Sequence, residues 1–299
     1  MLHSTSRSGA GAGVGGGSDV DERRQPTTPL LTLNMGNAVG IESKYPREAV
    51  ELFKSLLGLD EQLACDALMR HYRGEYWPGR RGRMPPLRRI PEGSLIKLPA
   101  PRPPALSVGD AIIRRRSAED FTPGPIDLND LATILYLTIG ITAWTEAYGL
   151  SKYPLRAYPS AGALQPVEAY VYANYVDGLD KGIYKYDAFT HSLIQMKVGD
   201  FAKQLVDISL GQDHVGRASA VLILTVYYAR TRWKYWKRAL RYVLLDAGAA
   251  MENAYLASVG LGLGVRAVGA FYDNELCSLL SIDCLNEFPV VLILVGRPA

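Results

Sequence analysis

The chain has 299 residues, 48% hydrophobic and 21% charged, with a formal net charge of +3. That is enough apolar material for one large core plus an extension, and too balanced a composition for a disordered chain. The charge is uneven: residues 1–69 sum to −3, residues 70–116 to +9 and residues 117–299 to −3, which argues against a whole-chain nucleic-acid binder and leaves a basic block to explain.

Three cysteines, Cys65, Cys277 and Cys284, are too few and too scattered for a disulfide framework. The four histidines, His3, His71, His191 and His214, show no metal-ligand spacing, so no metal site is expected and a reducing compartment is the default. The first 30 residues lack the apolar segment of a signal peptide, and the longest apolar stretch, Val243 to Leu263, is interrupted by Asp246, Glu252 and Asn253. A cytoplasmic protein without a membrane span is expected.

Residues 1–30 are rich in Gly, Ser and Ala and read as a disordered tail, because they cannot bury enough surface to offset their ordering entropy. From Pro46 to Tyr72 the apolar spacing predicts two short helices separated by Gly58 and Asp60. Residues 73–107 are rich in Pro and Arg and read as an extended strap rather than a helix or a central strand. Residues 31–107 thus form a preface, and the main domain covers 108–299. A helix is predicted from Val108 towards Arg114-Arg115-Arg116-Ser117, and a second from Leu128 to about Gly140 with Asp127 as N-cap. Gly149 to Pro166 reads as a loop, Val167 to Tyr175 as a strand, and Gly182–Asp187 with Ser192–Lys197 as a hairpin. A short helix near Phe201–Leu210 and a buried strand at Ala220–Tyr228 follow. Trp233 to Gly260 is the longest predicted helix, ended by Gly262 and Gly264. Val265–Phe271, a helix at Asp273–Leu280 and a strand at Phe288–Val295 complete an α+β fold, a mixed or antiparallel sheet flanked by helices.

Two segments carry chemistry. Arg114, Arg115 and Arg116 beside the Ser117 hydroxyl suit a phosphate monoester, although a solvated basic face explains the triplet alone more simply. The run Arg156-Ala157-Tyr158-Pro159-Ser160-Ala161-Gly162-Ala163-Leu164-Gln165-Pro166 is built of small residues that let backbone amides approach a flat ligand, but such a loop is more often a turn. The basic, aromatic run Trp233-Lys234-Tyr235-Trp236-Lys237-Arg238 fits equally a catalytic lysine and a solvent-facing helix start packed by its tryptophans. His191, in the predicted hairpin, and His214, in a loop, read as packing or surface residues, and Tyr170, Tyr172, Tyr175, Tyr184 and Tyr186 as sheet packing.

Taken in order, Arg-Arg-Ser, Pro-Ser-Ala-Gly-Ala, Arg-Tyr, Val-Gly-Ala-Phe and the terminal Val-Gly-Arg-Pro resemble the nitroreductase-like flavoproteins. Within them, residues 95–299 look most like the SagB-type (McbC-like) dehydrogenases of thiazole/oxazole-modified peptide biosynthesis. That resemblance implies a nitroreductase-like fold and a homodimer with FMN sites built from both chains. It implies oxidation of thiazoline or oxazoline rings in a ribosomally made peptide, beside a cyclodehydratase. Carried onto this sequence, Arg115, Arg116 and Ser117 match positions near the FMN phosphate and the polar edge of the flavin, and Arg297 a C-terminal phosphate contact. Pro159, Ser160, Ala161, Gly162 and Leu164 match the loop laid on the isoalloxazine ring by the neighbouring subunit. Val268, Gly269 and Ala270 match the strand end whose backbone nears the reactive nitrogen. Lys234 and Tyr235 resemble the Lys-Tyr pair of the azoline-oxidising branch. In that role Lys234 is a base whose pKa the nearby Arg230, Arg232, Lys237 and Arg238 are expected to lower.

Two positions depart from the pattern. Glu119 stands where a basic residue is usual, so another cation has to face the reduced flavin, and Gly248-Ala249 replaces Gly-His. A nicotinamide-driven reductase of nitroaromatics, quinones or enones is the alternative on the same fold. The other is a flavin-poor scaffold whose Arg73, Arg80, Arg81, Arg83, Arg88 and Arg89 contact an acidic peptide or, less readily, RNA.

Overall fold

Strict alternation along three central strands determines the layering. In β5 (Val167–Ala173), β8 (Ala220–Tyr227) and β10 (Glu287–Pro298), Val167, Ala169, Val171, Leu222, Leu224, Ile293 and Val295 face one apolar cluster. Tyr170, Tyr172, Val221, Ile223, Leu292 and Leu294 face another. A strand apolar on both faces has to be covered on both, and helices supply the cover. The structure, a computed structural model, describes residues 82–299 apart from the side chain of Lys237. The predicted tail and the two preface helices lie outside the described residues.

The sheet runs β1–β7–β6–β5–β8–β10–β2, with β9 also on β10, and its ladders are antiparallel. Here β1 is Ser94–Lys97, β2 Phe121–Thr122, β6 Gly182–Asp187, β7 Ser192–Val198 and β9 Gly264–Val268. One face is covered by α2 (Leu128–Ile139) and α6 (Ala239–Gly260), the other by α3 (Ala202–Ile208), α4 (Asp213–Arg217) and α7 (Asp273–Leu280). α1 (Val108–Arg114) and α5 (Tyr228–Tyr235) complete the α-helices among the described residues, with β3 (Ile141–Ala147) and β4 (Leu150–Arg156) as a separate hairpin.

Local chemistry sets the ends of α2. Asp127 caps it by accepting from the Asn129 amide at 2.7 Å, and Gly140 ends it where a Cβ would stand 2.5 Å from the Tyr136 carbonyl oxygen. The 22 residues of α6 bury Leu240, Val243, Ala247, Ala250, Ala254 and Ala257 along one stripe. No helix among the described residues is long and apolar enough to cross a membrane.

Four expectations need correction. Gly149–Pro166 is not all loop: Leu150–Arg156 is a strand, joined to β3 by a two-residue turn with φ 54° at Tyr148 and 79° at Gly149. Positive φ at both positions is what a tight hairpin needs. β3 is exposed along its middle and only the end of β4 is buried, so the pair gives no apolar alternation to read. The helix expected from Trp233 to Gly260 is broken at Trp236 (φ 48°), and α5 begins at Tyr228 directly after β8. Cys277 and Cys284, seven residues apart, are joined as a disulfide across the end of α7. His214 lies in α4 rather than a loop. His191 does sit in the β6–β7 hairpin, between the Tyr186 hydroxyl and the Pro99 carbonyl, each at 2.9 Å.

The strap is docked by its arginines. Arg88 pairs with Asp187 at 2.5 Å and Arg89 with the buried Glu287. Glu287 also accepts from Tyr170 and Thr225. Beneath α5, Glu168 of β5 lies 2.6 Å from Arg230 and 3.5 Å from Lys185. Burial pushes this carboxyl up, but the charges of Arg230, Lys185 and Arg156 outweigh it and hold Glu168 below the ordinary range. Replacing Arg230 with Met should leave the carboxylate under-compensated and lower the unfolding free energy by about 3 kcal/mol. Chemical denaturation of the two proteins reads this difference, and equal midpoints would refute it.

Candidate functional site

Helix α6 holds two groups of site residues on opposite sides. Asp246 and Asn253, seven residues apart, share a face. The Asp246 carboxylate accepts from the Ser160 hydroxyl at 2.7 Å and the Ala161 amide at 3.1 Å, and Asn253 donates to the Ala157 carbonyl at 3.1 Å. Ser160 Oγ also accepts from the Gln165 amide at 2.9 Å. These bonds pin a loop that turns through φ 59° at Gly162, 54° at Ala163 and 54° at Gln165. Leu164 is buried beneath it and Pro159 is exposed.

The Gly162 turn is where α5 arrives. A Cβ at Gly162 would stand 2.7 Å from the Tyr235 hydroxyl, 2.9 Å from Lys234 Nζ and 3.1 Å from the Tyr148 hydroxyl. Glycine eases the left-handed backbone, and a side chain there would push back the three polar tips that close on it. Lys234 donates to Tyr148 at 3.0 Å, Tyr148 to the Gly162 carbonyl at 2.5 Å, and Tyr153 to the Ala163 carbonyl at 2.7 Å. The predicted Lys234 and Tyr235 thus meet the predicted Ser160–Gly162 loop.

The expected electrostatics of Lys234 do not hold. Its hydrogen bond to Tyr148 outweighs burial and holds the amine above its ordinary value. Arg230 does not act on it as a free like charge, because Arg230 is spent on Glu168, Pro86 and Gln165. Lys234 rests as an ammonium, a hydrogen-bond donor.

On the other side of α6, Tyr255 gathers the second group. Its hydroxyl lies 3.2 Å from Ser117 Oγ and accepts from the Ala267 amide at 2.7 Å, while the Arg115 guanidinium stands 5.6 Å over its ring. The Ala118 amide donates to Val265, and Arg266 donates to the carbonyls of Ala118 and Glu119 at 3.3 and 3.0 Å. At Gly264 a Cβ would meet Ala118 and Pro298, so the Arg-Arg-Ser segment and the chain's C-terminal strand meet at the start of β9. Arg116 folds back onto the Ile113 and Arg115 carbonyls, and Arg297 is exposed. At the far end of β9, Val268 is buried while Gly269 and Ala270 are exposed, with open space where a Gly269 side chain would be.

Asp246 and Tyr255 are nine residues apart, about 13 Å along the axis and half a turn around it. The structure therefore unites Lys234 and Tyr235 with the Ser160–Gly162 loop, and Arg115 and Ser117 with β9, but it does not merge the two groups within one chain. Tyr148, Tyr153, Asp246 and Tyr255 were not singled out from sequence. The one available signal was a carboxylate, Asp246, in a largely apolar helix with an amide, Asn253, seven residues on.

The nitroreductase family's sequence profile matches residues 112–297. The chain belongs to the nitroreductase family and is an oxidoreductase. A Methanocaldococcus jannaschii protein named as a nitroreductase, MJ1384, is 34% identical over 205 residues, 69% of this chain and 98% of that protein. The microcin B17-processing protein McbC of Escherichia coli is 23% identical over 47% of this chain and 54% of its own length. Among solved structures, a nitroreductase-named protein of Ralstonia eutropha is 25% identical with a TM-score of 0.58, covering 75% of this chain and 99% of that one. The E. coli microcin synthetase McbBCD complex, with truncated pro-MccB17 bound, shares the fold at 14% identity and TM-score 0.52, over 84% of this chain and 96% of that one. The chain thus spans nearly all of the archaeal relative but about half of McbC.

Burial pushes Asp246 up to about 6, against the opposing bonds from Ser160 and Ala161. Its folded value lies above the unfolded one, so ionisation destabilises the native state as pH rises from about 4 to 6, and the full cost remains above that. Asp246→Asn removes this titration. Stability of the variant relative to wild type should rise by about 2 kcal/mol between pH 4 and pH 7, read by urea denaturation; parallel pH curves would contradict the assignment.

Proposed function

We propose that the protein is an FMN-dependent dehydrogenase that oxidises thiazoline or oxazoline rings to thiazole or oxazole in a ribosomally made peptide. The observation that carries this reading is the convergence of Lys234, Tyr235 and Tyr148 on the Gly162 turn, in a chain similar to McbC.

The donor set suits FMN. Arg115, Arg116, Arg297 and the Ser117 hydroxyl are the cations and the hydroxyl that bind a phosphate monoester well, and the exposed backbone at Gly269 and Ala270 leaves room for a flat ring. Arg266, held at the Ala118 and Glu119 carbonyls, is a cation beside the position where Glu119 replaces a basic residue. Bound FMN would supply a two-electron acceptor for the hydride leaving the ring, with dioxygen as the final oxidant. This chain's residues handle the rest: Ser160 and Gly162 fix the loop under the ring, Tyr235 orients the substrate, and Lys234 exchanges the ring proton. Because Lys234 rests as an ammonium, it accepts that proton only after losing its own, so turnover should rise with pH towards a raised lysine value.

The two groups on opposite sides of α6 support a site completed by a second copy, with Arg115 and Ser117 of one protomer facing the Pro159–Leu164 loop of the other. Exposed Ile112, Ile113 and Leu245, with open space at Gly248, offer apolar surface for that homodimer. A peptide substrate and a cyclodehydratase partner follow from the same reading. In place of the proposed acidic-ligand role, Arg88 and Arg89 are used inside the fold.

The purified protein should show a flavin spectrum and remove two hydrogens per ring from an azoline peptide, read by mass. Lys234→Ala should lose at least about 100-fold in turnover with FMN occupancy unchanged, whereas Arg115→Ala should weaken FMN binding. A protein that takes up no FMN would defeat the reading. Nicotinamide consumption with a quinone, without azoline oxidation, would instead select the small-molecule reductase suggested by the archaeal relative's name.

A further inference from the structure

We propose that Tyr148, at the tip of the β3–β4 hairpin, is the positioning residue for Lys234: its hydroxyl holds the ammonium against the Gly162 turn and thereby sets where the cation stands and when it gives up its proton. The consequence for turnover rests on Lys234 handling the ring proton; the geometry stands without it.

Tyr148 is fixed from three directions. The hairpin turn places it at φ 54°, a conformation that costs a non-glycine residue free energy and persists where the surroundings hold it. Its ring meets the Trp233 indole edge-on at 5.5 Å and the Tyr153 ring at 5.3 Å. Trp233 is itself tied to the strap, donating to the Gly82 carbonyl at 3.0 Å. The hydroxyl then spends its one proton on the Gly162 carbonyl at 2.5 Å, so towards Lys234 it can only accept, at 3.0 Å. An acceptor whose own proton is committed stabilises the ammonium over the neutral amine.

The groups facing Lys234 are few. Its Nζ lies 5.3 Å from the Tyr148 ring and 5.3 Å from the Tyr235 ring of its own helix, and Tyr235 stacks at 4.6 Å on Tyr242 of α6. The loop side offers the Gly162 turn, with the Asp246 carboxylate bound to the neighbouring Ser160 and Ala161. On β4, Tyr153 points its hydroxyl to Ala163. Arg230 is engaged with Glu168. Among the described residues outside α5, Tyr148 bonds the lysine directly. It also links the loop to α5, so the same hydroxyl couples loop position to lysine protonation.

The test uses the full chain and does not need flavin. Acetic anhydride acylates neutral amines, and mass spectrometry of Lys234 and of exposed Lys97 across pH gives each a midpoint independent of accessibility. In wild type the Lys234 midpoint should lie above that of Lys97. Tyr148→Phe keeps the ring contacts and removes the hydroxyl; the Lys234 midpoint should fall and labelling at a fixed pH below it should rise severalfold. Tyr153→Phe removes a neighbouring hydroxyl that does not touch Lys234 and should leave the midpoint in place. An unchanged midpoint in Tyr148→Phe, or an equal fall in Tyr153→Phe, overturns the proposal. If Tyr148→Phe does not fold, a wild-type Lys234 midpoint at or below that of Lys97 does so. With the FMN-loaded enzyme, the pH midpoint of azoline oxidation should move down in Tyr148→Phe. Shifted labelling in a protein that oxidises no azoline would leave Tyr148 as assigned and remove the peptide-dehydrogenase reading.

Discussion

The buried carboxylate of Glu168 constrains most of what surrounds it. It sits in β5 at the middle of the sheet, where an unpaired charge is too costly to keep. Arg230, in the first turn of α5, supplies the compensating charge and donates also to the Gln165 and Pro86 carbonyls. One guanidinium therefore ties the start of α5 to the sheet, to the end of the Pro159–Leu164 loop and to the strap. Four residues later on the same helix comes Lys234. A buried pair of this kind contributes little net stability compared with apolar residues of the same size, but losing one partner is costly. Its effect is to fix the position of the helix that carries the proposed chemistry.

The same logic divides the basic block. Arg88 and Arg89 meet Asp187 and Glu287, so these two charges are absorbed in holding the strap to the sheet edge and to β10. Arg114 and Arg116, by contrast, project from the surface, and Arg115 is half-buried over Tyr255. Exposed arginines whose guanidinium groups are not committed to buried carboxylates, unlike Arg88 and Arg89, keep donors available for an anion. The small net charge of the chain combines these structural and available cations.

The fold was largely legible because its signals are local or periodic. Asp127 and Gly140 bound α2, alternation marks β5 and β8, and α7 falls at Asp273–Leu280 as read. The β3–β4 hairpin escaped because β3 is exposed along its middle and burial in β4 is confined to its end, at Tyr153, Pro154 and Arg156, so no apolar alternation is imprinted on its residues. The break at Trp236 escaped because no glycine or proline marks its positive φ. The disulfide joins cysteines whose spacing alone does not distinguish pairing from coincidence. In the site, the loop and the Lys-Tyr pair were visible as segments. Tyr148, one of 18 tyrosines in the chain, is distinguished only by the turn that aims it at Lys234.

Helix α6 finally keeps the two groups of site residues apart. Residues 246 and 253 face the loop, while residue 255, half a turn round from 246, faces Ser117 and β9. Both faces are closed by these bonds, so neither group can swing to the other without unmaking them. Under the proposed function, a flavin that used the phosphate-binding chemistry of Arg115 and Arg297 together with the Ser160–Gly162 loop would draw the two from different copies, which is why the proposal carries a homodimer with it.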